Sequence, residues 1–292
     1  MSSYTTPDFL AIGVLTYDVT PERENVHGRV RPGGAAAFAA MCARSLGLKT
    51  AVVASAGPEY PLATVLPGVD VHLVESDFTT FFQNVYGPSG TRKQILGARA
   101  SCITLSDIPA AWRDASIVFL GPLVGEVPVN AKDWFPESAV GAAVQGWLRR
   151  WDQYGLITEE TGPSSELAKG ITPGYRLLAG SRMEFPREEQ QSMVALGEYA
   201  RVIGVTDGEN GSHVYSGNTR TKIHAYPANE IDPTGAGDIW AAACLIRLVE
   251  TDDLIEAAHF ANAAASISVE REGLSGAPSR LEIAERMGRR NV

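Results

Sequence analysis

Apolar residues along this chain come in short runs, separated by polar stretches that carry glycine and proline. Phe9-Leu10-Ala11-Ile12-Gly13-Val14-Leu15 is an almost unbroken apolar run with β-branched members, the pattern of a strand buried on both faces. Residues 49–55, 116–122, 176–179 and 199–206 repeat that kind of run. Between them lie segments of helical character. Residues 35–46 are rich in alanine and end at Gly47, residues 239–248 are apolar nearly all round, and residues 255–269 form a long alanine-rich stretch. Residues 139–151 read as a strand-to-helix unit. Strands alternating with helices predict an α/β fold with a mostly parallel sheet and helices on both faces. Residues 69–75, 79–86 and 94–98 differ, because apolar and polar positions alternate there. Gly87-Pro88-Ser89-Gly90, between the last two, signals a turn. This predicts a small antiparallel insert with one face exposed.

Composition narrows the function. The chain has 292 residues, enough for a sizeable core. Its net charge of −9, with no run of Lys and Arg, argues against nucleic-acid binding. No stretch approaches the roughly 18 apolar residues of a membrane span. Residues 1–9 lack a basic segment followed by an apolar one, so no secretory leader is expected. The three scattered cysteines suit a reducing, cytoplasmic setting. No Gly-x-x-x-x-Gly-Lys-Ser/Thr and no Gly-x-Gly-x-x-Gly after the first strand are present, which argues against a P-loop enzyme and a dinucleotide fold.

The chemistry concentrates in Asn229-Glu230-Ile231-Asp232-Pro233-Thr234-Gly235-Ala236-Gly237-Asp238, which runs into the helical segment 239–248. Gly235 and Gly237 let the backbone approach a bound group closely. The first amides of the helix have no partner within it and point, with the positive end of the dipole, at whatever sits there. That is an anion site. Asp238, in the same turn, is a candidate general base for a substrate hydroxyl. Read alone, one Gly-x-Gly-Asp favours the plainer account, in which Asp238 caps a helix and the glycines form a tight turn.

The full string Asp-Pro-Thr-Gly-Ala-Gly-Asp resembles the C-terminal signature of the ribokinase-like (PfkB-type) carbohydrate kinases. The resemblance implies that the Gly235, Ala236 and Gly237 amides hold the transferred phosphoryl group and that Asp238 deprotonates the acceptor. It implies that Asp232 helps hold a monovalent cation or orders the loop, with Ser268, Arg271 and Gly273 in a K+ loop. It implies ATP and Mg2+ as cofactors. Gly33-Gly34, a small-residue helix and Leu46-Gly47 before a strand are similar to the family's N-terminal signature. Phe38 stands where most members carry a sugar-binding Asn. That small-then-aromatic pattern resembles the myo-inositol kinase-like branch.

The same resemblance places Asp18 after the first strand as a substrate ligand, beside Gly33, Gly34 and Phe38. Arg92, past the turn of the insert, reads either as a substrate contact or as a solvated hairpin residue. Thr206, Gly208 and Gly211 fall where relatives contact nucleotide phosphates, and Asn262 falls beside the adenine. Ser181-Arg182-Met183-Glu184 stands where the family has Asn-x-x-Glu, so Glu184 is the expected Mg2+ residue, acting through water, with Ser181 replacing Asn. Gln145-Gly146 reads as a site loop. The implied architecture is one ribokinase-like domain over 1–292, with lid segments at approximately 15–32 and 70–104. Lid strands of such enzymes pair between subunits, giving a homodimer as the expectation. The expected activity is transfer of the ATP γ-phosphoryl group to a small polyol, with a sugar or myo-inositol-like cyclitol first and a nucleoside second. A non-catalytic ligand-binding protein on the same fold is the reading of a different class.

Overall fold

The computed structural model describes residues 5–22, 25–86, 92–159, 167, 169–185 and 190–288. β1 (Phe9–Val14) lies between β4 (Thr50–Ala56) and β8 (Ile117–Leu120), parallel to both. All three are fully buried, as their unbroken apolar runs require. Along β1 the pleat deals residues to alternate faces. Phe9 and Ala11 enter one core with helices α1 (Ala35–Ser45), α5 (Ala236–Thr251) and α6 (Leu254–Ser268). Leu10 and Ile12 enter the opposite core, with Trp112, Phe135 and Trp147.

The sheet continues from β8 through β9 (Ala139–Ala143), β12 (Tyr175–Ser181) and β13 (Ala200–Thr206), all parallel. It ends in antiparallel β14 (Ser212–Ser216) and β15 (Thr219–Ile223). On the other side β4 pairs with β5 (Asp70–Glu75). The winding therefore runs outward from β1 to β4 and β5, and then reverses to β8 and beyond. At such a switch point loops diverge beyond the carboxyl ends of the strands and leave a crevice. Between β9 and β12 the chain also forms a short helix, α3 (Gln145–Leu148), and the hairpin β10 (Arg149–Trp151) and β11 (Ile157–Glu159). Shorter helices are α2 (Leu62–Val65) and α4 (Gln190–Leu196), and α7 (Arg280–Gly288) ends the described chain.

A separate four-stranded sheet, in the order β3-β2-β6-β7, stands over that crevice. It is built from β2 (Thr16–Glu22), β3 (Asn25–Gly33), β6 (Thr80–Tyr86) and β7 (Arg92–Ala98). Phe82 and Leu96 on its inner side pack with Val14, Leu123 and Val124. The expectation for residues 69–75 needs correction, because Asp70–Glu75 is the edge strand of the large sheet and not part of this insert. An edge strand covered on one face shows the same apolar–polar alternation as a lid strand, so alternation could not decide between them. Among the described residues no helix is long and apolar enough to cross a membrane.

Candidate active site

Gly235 is the N-cap of helix α5 and takes the left-handed conformation with φ 77°. A β-branched or bulky residue would be strained there. The Ala236 N–H turns back to the Pro233 carbonyl at 3.2 Å, which closes the turn. A Cβ on Gly237 would meet nothing within 4 Å, so the cleft is open above it. On the opposite side, a Cβ on Gly235 would lie 2.3 Å from the Phe38 ring. Phe38 is buried on α1 and forms the floor under the turn. Gly34, just before α1, has φ 117° and lies too close to the Val14 carbonyl for any side chain.

Asp238 occupies the first turn of α5 and faces the cleft. Burial pushes its carboxyl up to about 7. The Arg149 charge opposes that shift, while Glu184 and Asp18 add to it. Four charged groups from four elements thus converge on one wall. Asp18 comes from β2, where the Thr16 hydroxyl donates to its Oδ2 at 3.3 Å and Gly33 leaves room beside it. Arg149 follows α3 and packs its guanidinium 5.4 Å from the centre of the Phe82 ring.

Glu184 is buried beyond the carboxyl end of β12. Its Oε2 accepts from the Ser181 amide at 2.6 Å and from the Ser181 hydroxyl. Its Oε1 accepts from Gln145 Nε2 at 3.0 Å. The Ser that replaces the expected Asn therefore orients this carboxylate directly. Thr206 ends β13, and Gly208 and Gly211 take φ of 51° and 90° in the hairpin to β14. A Cβ on Gly211 would lie 2.1 Å from the Ile223 carbonyl, so that position is closed to other residues.

One cleft of about 1210 Å³ joins these groups. Thr16, Asp18, Asn84 and Gln94 line it from the four-stranded sheet, with Gln145 and Arg149. The Gly235–Asp238 turn and Glu184 also line it. Thr206, Gly208, Gly211, Tyr226, Pro227 and Ala265 belong to the same lining. Asn262 also lines it, but its side chain is committed inside the protein. Its Oδ1 accepts from Trp240 Nε1 at 2.6 Å and from the Ser212 hydroxyl at 2.8 Å. Its Nδ2 donates to the Ile223 and His224 carbonyls, both at 3.0 Å. Ser268, Arg271 and Gly273 lie outside the cleft lining, behind the turn. The Arg92 side chain lies outside the described residues.

The sequence reading missed Arg149, Asn84 and Gln94. Arg149 carried a signal, being a cation that closes the otherwise apolar Gly146-Trp147-Leu148 run. Asn84 and Gln94 became visible only through register. They are cross-strand partners on β6 and β7, with Gln94 Nε2 donating to Asn84 Oδ1 at 3.2 Å.

Residues 177–280 match the model of the pfkB family carbohydrate kinases. A ribokinase of Bacillus subtilis (strain 168) is 38% identical over 92 residues. That alignment covers 31% of this chain and 31% of the ribokinase, so the chain spans about a third of that relative's length. A nucleoside kinase of Methanothermobacter thermautotrophicus is 27% identical over 290 residues, covering 91% of this chain and 90% of its own. In the solved structures, a pyrophosphate-dependent kinase of the ribokinase family, complexed with a pyrophosphate analogue and myo-inositol, superposes with a TM-score of 0.76. It shares 22% identity over 95% of this chain and 99% of its own, which establishes the ribokinase-like fold. Over residues 177–280 the chain is thus similar to the pfkB family carbohydrate kinases.

Proposed function

We propose that this pfkB-type domain transfers the γ-phosphoryl group of MgATP to a hydroxyl of a small polyol, with a myo-inositol-like cyclitol as the favoured acceptor. The observation that carries the reading is the placement of Asp238. It stands in one turn with Gly235 and Gly237, and the cleft it faces is lined both by polar side chains of the four-stranded sheet and by Tyr226, Pro227 and Ala265. Phosphoryl transfer needs mainly positioning and charge stabilisation, which this equipment supplies.

In this reading the acceptor lies under the lid. Asp18, Asn84, Gln94 and Gln145 suit several neighbouring hydroxyls, and the Phe38 and Phe82 rings suit the C–H faces of a carbon ring. Asp238 takes the proton of the reacting hydroxyl. The Gly235 and Gly237 amides serve the phosphoryl group, the Ala236 amide being turned to the Pro233 carbonyl. Arg149, beside Asp238, supplies positive charge where negative charge accumulates. The lid sheet excludes water, which would otherwise compete as acceptor. Tyr226, Pro227 and Ala265 offer apolar contact for a purine base.

Among the described residues no group of three or more His, Cys, Asp or Glu could hold a metal ion. That suits Mg2+, which binds through substrate phosphates and one or two carboxylates rather than an all-protein cage. Glu184, fixed by Ser181 and Gln145, fits the carboxylate part, through water. Bound there, the metal would neutralise phosphate charge. Tyr226, Pro227 and Ala265 in the lining favour a nucleotide donor over pyrophosphate, which has no base for them to contact.

The long alignment to a nucleoside kinase supports a second reading, in which the acceptor carries a base as well as a sugar. We further read 1–292 as a single domain with a lid, and β3, an edge strand with Val30 exposed, as a surface for homodimer pairing. The test is release of ADP or phosphate from MgATP and from magnesium pyrophosphate, against cyclitols, sugars and nucleosides. Stimulation by one acceptor class, abolished in Asp238→Asn, supports the reading. Tight nucleotide binding without turnover for any acceptor favours a binding protein.

A further inference from the structure

The residues that the family resemblance assigns to a K+ loop do not fit a monovalent metal. The Asp232 carboxylate is the loop's anionic group, and its side chain is only 2% exposed. Its Oδ2 accepts from Arg31 Nη1 at 2.8 Å and from the Gly273 amide at 3.1 Å. Its Oδ1 accepts from the Thr234 amide at 3.0 Å. Burial pushes this carboxyl up, but the Thr234 and Gly273 hydrogen bonds and the Arg31 charge outweigh that and hold it below its ordinary value. The Ser268 hydroxyl is turned to the Ala265 carbonyl at 2.8 Å. Arg271 adds a second positive side chain to the loop, paired with Glu282. A monovalent ion against the Asp232 carboxylate would sit beside a guanidinium, and like charges at such a distance repel.

Arg31 is on lid strand β3, opposite Asp18 of β2. Asp232 is three residues before Gly235. One contact therefore joins the lid sheet, the approach to the anion turn and the loop at Gly273. We propose that the Arg31 guanidinium is the built-in cation of this site. It takes the place of a monovalent metal, organises the Asp232–Gly235 approach and ties the lid to it. Arg31 acts through Asp232 and is a positioning residue. The inference rests on the kinase reading only for its turnover arm. Its melting arm needs no substrate, so the two can fail separately.

The experiment compares melting of the full chain in KCl and in tetramethylammonium chloride at equal ionic strength. It also titrates K+ and guanidinium into the turnover assay. The wild type is expected to melt at the same temperature in both salts and to turn over at the same rate with and without K+. Arg31→Met is expected to lose about tenfold or more in turnover, and millimolar guanidinium or K+ should restore part of it. A wild-type protein that melts about 3 °C or more higher in K+ binds the metal, and that result overturns the proposal. An Arg31→Met loss that neither ion relieves also overturns it, as does wild-type turnover in that variant without added cation. If Arg31→Met does not fold, Arg31→Lys carries the test. It keeps the charge and must stay indifferent to K+, and K+ activation of it would refute the assignment.

Discussion

The Phe38 ring lies where a side chain on Gly235 would begin. Its Cδ1 is 2.3 Å from the position a Cβ would take, and Gly235 already has φ 77°. Gly235→Ala therefore meets both strain and overlap. Turnover is expected to fall by about 10²-fold or more, the scale of losing one preorganised anion donor. Adding Phe38→Leu relieves the overlap, so the double variant should melt higher than Gly235→Ala without recovering full rate. Steady-state kinetics and thermal melts of the three proteins check this.

Asp238 predicts two pH effects of opposite sense. In the proposed role of base it works deprotonated, so kcat/KM with the acceptor should fall below a midpoint near pH 7. As a partly buried acid raised from 3.8 to about 7, it weakens the fold as pH climbs through that window, because the native chain keeps a proton the unfolded chain has released. Above the folded value the full cost applies. Asp238→Asn should thus lose about 10²–10⁴ in rate. It should also melt higher than wild type at pH 8, the difference narrowing toward pH 4. A variant less stable than wild type at pH 8 would contradict the burial argument.

Arg149 lowers the Asp238 value against burial. Arg149→Met keeps much of the packing on Phe82 and removes the charge. The acidic limb of the rate profile should move to higher pH, and the plateau rate should drop. A purely structural Arg149 would lower the rate and leave that limb in place.

Asn262 satisfies Trp240, Ser212 and two carbonyls at once. Asn262→Ala leaves several buried polar groups without partners and should cost about 2–4 kcal/mol of stability, read from urea unfolding. Its effect on the KM for ATP should be small if that staple is its main task.

Ser181 and Gln145 hold Glu184 from two sides. Ser181→Ala should raise the Mg2+ concentration needed for half-maximal rate, and Glu184→Gln should raise it further. Acceptor affinity measured without metal should change little in either, and isothermal titration tests that.

Much of this protein was legible before any coordinates. The apolar run at 9–15 read as a buried strand, and it is β1, paired in parallel on both sides. Helix α5, apolar all round, had to be interior. Gly235, Gly237 and Asp238 fall within four consecutive positions, so local geometry alone brings a glycine turn and a carboxylate together. Those conclusions rest on short-range chemistry, and sequence carries that directly.

Tertiary structure decided what depends on long-range pairing. The alternation in residues 70–75 belonged to an edge of the large sheet, since a half-covered edge strand and a lid strand share one pattern. Arg149 reached Asp238 from 89 residues away, and Arg31 met Asp232 across 201. Phe38 became the floor under Gly235, and Asn262 an internal staple at the wall of the cleft. Periodicity reports which face of an element is buried. It does not report which distant element covers that face, and in this chain those distant partners set the electrostatics at Asp238, the packing under Gly235 and the ion pair at Asp232.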